Sequence, residues 1–176
     1  MTLLGRTVRR LAEMSSPTAL IGGVALAVHG ITRHTEDADL LSTDGRVLSD
    51  AFWEILRNEG TKVEVRRGDF DDPLRGVVRL TAEGEKTVDV VVGRSAWHEQ
   101  ALSRRRVLHV AGEDLPVVDP ADLVLLKLEA GGPQDLLDIR LLLAGPEGNA
   151  IRADVEARLP SLPSSLQATW VALPSP

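Results

Sequence analysis

The sequence contains no cysteine and no tyrosine among its 176 residues. The missing thiols exclude disulfides, thiolate metal sites and a cysteine nucleophile together. Phe and Trp bring the aromatic share to only 3 %, which leaves little from which to build a base-stacking platform for single-stranded nucleic acid. No apolar run approaches the ~20 residues that span a bilayer. The stretch Met1 to Met14 carries three Arg but no apolar centre of a signal peptide. The expected location is therefore the cytoplasm, with no membrane partner. Positive charge is also short: 20 Lys and Arg face 26 Asp and Glu, a net charge of −6. A nucleic acid would have to be met by a local basic patch. Four His are scattered, none at a spacing typical of zinc sites.

The remaining composition, 43 % apolar and 26 % charged, is that of an ordinary globular domain. Helical periodicity in Leu3, Leu4, Val8, Leu11 and Met14 predicts a first helix. Thr18 to Ile21 reads as a buried strand, Val24 to His29 as a helix and Asp37 to Leu41 as a second strand. A helix capped by Asp44 is expected to run to Asn58, with Leu48, Phe52, Ile55 and Leu56 inward. Strands are expected at Lys62 to Arg66, Val77 to Leu80 and Thr87 to Val92, the last two around the turn Glu83-Gly84-Glu85. A short helix near Ala96 and a strand near Val107 to Val110 come next. Asp119-Pro120 starts a series of helices that continues into the tail. The expected fold class is α/β (α+β), a small mixed β-sheet with flanking helices followed by a helical C-terminal segment. The expected division is a core of residues 1–114 and a helical segment of residues 115–176 packed on it.

The chemistry concentrates in Ile21-Gly22-Gly23 and, with thirteen residues between Gly23 and Asp37, in Asp37-Ala38-Asp39-Leu40. On a strand, Asp37 and Asp39 point the same way, with Ala38 and Leu40 toward the core. Paired carboxylates repel, and a hard divalent cation such as Mg2+ or Mn2+ relieves that repulsion. A glycine pair lets backbone N–H groups approach a phosphate closely. Asp89 is a single charge inside Thr87-Val88-Asp89-Val90-Val91-Val92, expensive there unless partners satisfy it. It suits a third metal ligand or a general base, and a place at the strand's exposed end is the plain alternative. Arg33 suits either a triphosphate or a pairing with Asp37 or Glu36. Lys127 interrupts an apolar helix, where it either snorkels to solvent or holds a phosphate. Asp135 and Asp138 share one helical face. Arg104-Arg105-Arg106 is either a solvated turn or a contact to an RNA backbone.

Together these residues resemble the polymerase-β-like nucleotidyltransferase superfamily. More narrowly, Gly22-Gly23-Val24-Ala25, His29-Gly30, Arg33-x-Thr35 and Asp37-Ala38-Asp39-Leu40-Leu41 resemble the AbiEii/AbiGii-type toxin branch. Pro116, Asp119-Pro120-Ala121-Asp122-Leu123, Lys127 and Asp135-Leu136-Leu137-Asp138 are similar to that branch's second half, although its usual Arg-Asp reads Gln134-Asp135 here. The resemblance implies that Asp37, Asp39 and Asp89 form the catalytic, metal-binding set. It implies that Gly22, Gly23, Arg33, Thr35 and Lys127 contact an NTP. The implied reaction moves an NMP group from the NTP to an acceptor hydroxyl on tRNA, a protein or a small molecule. An antitoxin partner is implied as well. Two alternatives stay open: a catalytically weak or inactive protein on the same fold that works by protein–protein binding, and an aminoglycoside-type resistance nucleotidyltransferase.

Overall fold

The computed structural model describes residues 1–32 and 34–173. Arg33, expected to face the nucleotide, lies outside them. The chain opens on α1 (Leu3–Glu13), whose first turn is capped by the Thr2 hydroxyl. Strand β1 (Thr18–Ile21) runs directly into α2 (Gly22–Val28), and β2 (Asp37–Ser42) returns antiparallel beside β1. After the short α3 (Glu54–Asn58), β3 (Lys62–Arg67), β4 (Leu74–Thr81) and β5 (Thr87–Gly93) form consecutive antiparallel hairpins. Helix α4 (Ala96–Ser103) leads to the hairpin of β6 (Arg106–Val110) and β7 (Glu113–Val117). Helices α5 (Pro120–Ala130), α6 (Pro133–Ala144), α7 (Gly148–Arg158) and α8 (Ser164–Ala172) complete the chain. All strands join one seven-stranded sheet in the order β3-β4-β5-β2-β1-β7-β6. The β2/β5 and β1/β7 neighbours are parallel, so the sheet is mixed, with flanking helices, as expected.

Register sorts the side chains into two faces, because directly opposed residues of paired strands point the same way. Leu20 opposes Leu40, Leu40 opposes Val90 and Val90 opposes Val78. All four are buried, together with Ala38, Leu80, Val88 and Val117 of the same face. Each such aliphatic side chain contributes about 1.5–3 kcal/mol on leaving water. Leu3 and Leu4 of α1 and Val24 of α2 share a cavity of about 380 Å3 with Ala38 and Leu115, so both helices lie against this face. The opposite face is polar between β2 and β3. It carries Asp37, Asp39, Thr87, Asp89, Arg79 and Glu64.

The helical segment is fixed internally and to the end of α4 by charge as well as by apolar packing. Asp122, fully buried in the first turn of α5, accepts from Arg104 Nε at 2.8 Å and Nη2 at 2.7 Å, and lies 2.9 Å from Arg158 Nη1. Arg158 also donates to Asp119, the N-cap of α5, at 2.9 Å. A buried carboxylate is tolerable only with such partners. Arg104, at the C-cap of α4, is thus an ion-pair residue rather than a solvated turn. His29, after α2, bonds the Val118 carbonyl through Nε2 at 2.9 Å, a structural task.

The helix expected over 44–58 is broken. Asp44 does cap, accepting from Arg46 N, but two 3-10 turns, Gly45–Leu48 and Asp50–Trp53, take the helix's place before α3. The buried residues come as adjacent pairs, Val47 with Leu48 and Phe52 with Trp53, five positions apart. An α-helical face, with its 3.6-residue repeat, does not present that pattern. Ser49 is extended between the turns, and the indole N–H of Trp53 donates to the Val47 carbonyl. Ile55, expected inward, is 49 % exposed. Residues 114 and 115, the expected domain division, both fall inside β7. Among the described residues no helix is long and apolar enough to cross a membrane.

Candidate active site

Strand β2 presents Asp37 and Asp39 on the polar face, both half-buried, while Ala38 and Leu40 between and beyond them are buried behind. Asp39 stands directly beside Asp89 of the parallel neighbour β5 and directly across from Ile21 of β1. The next residue, Gly22, turns the chain into α2 with φ +65°. That left-handed conformation favours glycine, and space demands it too. A Cβ on Gly22 would lie 1.9 Å from Asp39 Oδ2, and one on Gly23 would lie 3.0 Å from the Thr35 Cβ. The glycine pair and the carboxylate motif are therefore one steric unit. Asp39 occupies the space that a side chain at Gly22 would need.

Two further residues order the start of β2. The Thr35 hydroxyl donates to the Asp37 carbonyl at 2.8 Å. Lys86, just before β5, donates its Nζ to the Thr35 carbonyl at 2.8 Å. Thr35, expected to contact the nucleotide, thus packs over Gly23 with its hydroxyl engaged in the backbone.

Asp89 is 9 % exposed and carries a partner that sequence reasoning does not assign. Arg79 of β4 lies directly opposite it and grips it with both arms, Nε to Oδ1 at 2.9 Å and Nη2 to Oδ2 at 2.6 Å. The same Nη2 is 3.9 Å from Asp37 Oδ2. These hydrogen bonds to Asp89 raise the guanidinium's pKa above its ordinary value. A signal for this pair is present in the sequence. With Gly84 at the centre of the turn, positions 79 and 89 are equidistant from it; Asp89 is the lone charge in its strand, and Arg79 the lone charge in the expected strand Val77 to Leu80.

Lys127 is engaged elsewhere. Its Nζ is buried between α5 and α6, donating to Asp135 Oδ1 at 3.0 Å and Asp138 Oδ2 at 2.6 Å. Gln134 donates to the other Asp138 oxygen at 2.9 Å, and Asp135 accepts from the Gly132 N–H. The helical-face pair of the sequence is thus gathered around Lys127 rather than solvated.

The sequence profile of a family described as nucleotidyl transferase AbiEii toxin, type IV toxin–antitoxin system, matches residues 6–162. The chain belongs to the AbiEii nucleotidyltransferase toxin family. No curated protein matches the AbiEii chain. Among solved structures, it resembles the antibiotic-resistance factor ANT(2'')-Ia in complex with adenylyl-2''-tobramycin, at 16 % identity and TM-score 0.57 over 89 % of this chain and 96 % of that one. It also resembles the lincosamide antibiotic adenylyltransferase LnuA with lincomycin bound, at 14 % identity and TM-score 0.52 over 80 % and 94 % of the two chains. A Thermotoga maritima protein assigned as a nucleotidyltransferase aligns at 16 % identity and TM-score 0.56 over 80 % and 90 %. At these identities the likeness is one of fold, and the nucleotidyltransferase fold is what the AbiEii chain adopts.

The carboxylates suit the divalent ion that such a fold implies. Asp37 and Asp39 share a face, all their donors are hard oxygens, and Asp89 adjoins Asp39 in register. Among the described residues, however, no three acidic or imidazole side chains already converge on one metal position. The guanidinium of Arg79 takes up the Asp89 oxygens.

Proposed function

We propose that this AbiEii chain transfers a nucleoside monophosphate from an NTP to an acceptor hydroxyl, using Mg2+ or Mn2+ held by Asp37, Asp39 and Asp89. The observation that carries this reading is the interlock of Gly22 with Asp39, with Asp89 in register beside it. The acceptor oxygen forms a bond to the α-phosphorus, the bond from that phosphorus to the bridging oxygen breaks, and pyrophosphate leaves. The acceptor proton passes to a carboxylate of the set, for which Asp89 is our choice. Bound metal would supply charge stabilisation for the attacking and leaving oxygens. The residues' own work is positional. Gly22 and Gly23 offer backbone N–H groups at close range to the triphosphate, and Thr35 and Lys86 hold the start of β2 so that Asp37 and Asp39 point together. Arg33 contacts the triphosphate. A nucleotide contact from Lys127 exchanges one of its two carboxylates for a phosphate oxygen.

An anionic acceptor fits best, and among tRNA, protein and small molecules this favours tRNA. Beyond Asp89 the polar face continues with Arg79, then with Lys62 and Arg66 on either side of Glu64, a local excess of positive charge on a chain of net charge −6. Such a patch attracts a phosphodiester backbone and repels a polycationic drug. We place the reaction in the cytoplasm, as the toxin half of a pair restrained by an antitoxin.

Calorimetric titration of the four NTPs, with and without Mg2+, tests the reading against Asp39→Ala. Metal-dependent binding of at least one NTP by the wild type, lost in Asp39→Ala, is expected. Equal binding by both proteins overturns the assignment.

A further inference from the structure

We propose that Arg79 is a removable latch on the metal site: its guanidinium stands in for the divalent cation and must leave Asp89 before the carboxylates can close on metal. The inference rests on the nucleotidyl-transfer reading. Its basis is geometric. A lone bidentate arginine satisfies both oxygens of Asp89 and reaches to 3.9 Å from Asp37, so one positive group neutralises two members of the expected set. It thereby offsets the repulsion that would otherwise drive those carboxylates apart or draw a cation in.

Three observations make the latch movable. The Arg79 side chain is 45 % exposed, so its own charge is already largely hydrated, and the carboxylate that it releases, 12 % exposed, is left for the incoming cation to satisfy. It hangs from β4 on a long flexible stem. It also has a second position: Glu64 of β3 lies directly opposite Arg79 on the other side, on the same face. At present Glu64 is paired with Lys62 at 2.5 Å, in the open. Arg79 therefore stands between two carboxylates in adjacent strands, Asp89 toward the site and Glu64 away from it. The swing exchanges one for the other without breaking the sheet. Closed, the latch keeps the site from binding metal on its own; open, it adds a cation to the basic side of the face where an anionic acceptor would lie.

The test measures Mn2+ binding without nucleotide, by the electron paramagnetic resonance signal of free Mn2+. It compares wild type, Arg79→Ala, Arg79→Gln and Glu64→Gln, with Asp39→Ala as the control for site-specific binding. Arg79→Ala and Arg79→Gln are expected to bind Mn2+ about 5- to 10-fold more tightly than wild type, as loss of a half-exposed charge-assisted pair implies. Glu64→Gln is expected to bind about 2-fold more weakly. Millimolar guanidinium should restore weak binding to Arg79→Ala and leave wild type unmoved. If neither Arg79 variant tightens binding while Asp39-dependent Mn2+ binding is present, Arg79 is a fixed counter-charge and the latch is overturned, with the nucleotidyl-transfer reading intact. If neither wild type nor variants bind Mn2+, even with NTP added, both fall.

Discussion

Two arginine–aspartate pairs in this molecule have nearly the same contact geometry and differ in how deeply they are set. Arg79 grips Asp89 at 2.9 and 2.6 Å, and Arg104 grips Asp122 at 2.8 and 2.7 Å. The side chain of Asp122 is 0 % exposed and has a second arginine, Arg158, against it. The side chain of Asp89 is 12 % exposed, and its partner among the described residues, Arg79, is 45 % exposed. Hydrogen-bond length does not separate a rivet from a latch. What separates them is how much water can replace the partner when it leaves, because a buried charge left alone costs several kcal/mol and an exposed one costs little.

The comparison breaks most visibly at the rivet. Asp122→Ala leaves Arg104 and Arg158 facing each other without a carboxylate between them. It should destabilise the fold by about 3–5 kcal/mol, which thermal unfolding would register as a fall of roughly 10 °C or more. At the other pair, Arg79→Ala takes the arginine from Asp89, whose side chain is 12 % exposed, and should cost less, about 1–3 kcal/mol. If the two losses turn out equal, exposure is not what distinguishes the pairs.

Next in size is Gly22→Ala. The added methyl must displace the Asp39 carboxylate, against which it would stand at 1.9 Å, and it forces φ +65° on a residue with a Cβ. Nucleotidyl transfer should drop by about 100-fold, equivalent to roughly 2.7 kcal/mol, with binding of NTP to the remaining backbone weakened less. Turnover at the wild-type rate would show that Asp39 can be moved without harm.

The smallest effect lies outside both pairs, at Glu85. Its carboxylate accepts from Arg6 Nη2 at 2.9 Å and from the Leu3 N–H, tying the start of α1 to the β4–β5 turn. The hydrogen bond from Arg6, with the one from Leu3 after it, holds the Glu85 pKa below its ordinary value of 4.5. A carboxyl depressed on folding stabilises fully above its unfolded pKa and loses that contribution as pH falls through the folded one. Urea midpoints taken from about pH 6 downward should therefore decline below pH ~4.5. Glu85→Gln should flatten part of that decline and leave the neutral-pH activity in place.

The sequence disclosed the candidate-site strands because their pattern is local. Ala38, Leu40, Val88 and Val90 alternate with or border the carboxylates, and the period of two alone puts Asp37 and Asp39 on one face. Glycines 22 and 23 were legible as a phosphate-approach motif, but their steric dependence on Asp39 and Thr35 arises only once β1 and β2 pair. Arg79 was missed because its meaning comes from the strand opposite, and Asp122 because its two arginines come from α4 and α7. Strand β7 escaped for another reason. Glu113-Asp114-Leu115-Pro116-Val117 has two acids and a proline that lacks an N–H, which reads as a loop. Its pairing with β1 is confined to Leu20 and Val117, so little ladder is forfeited to Pro116.

That brief contact between β1 and β7 also has a consequence in time. Leu20 leaves the ribosome early, and its neighbour Val117 only after β2 through β6 have been made. Until then the strand that leads into Gly22 has an open edge, and non-local closures of this kind are the slow steps of folding. A chain emerging from synthesis would thus carry Asp37, Asp39 and Asp89 on a sheet whose β7 edge is still unmade.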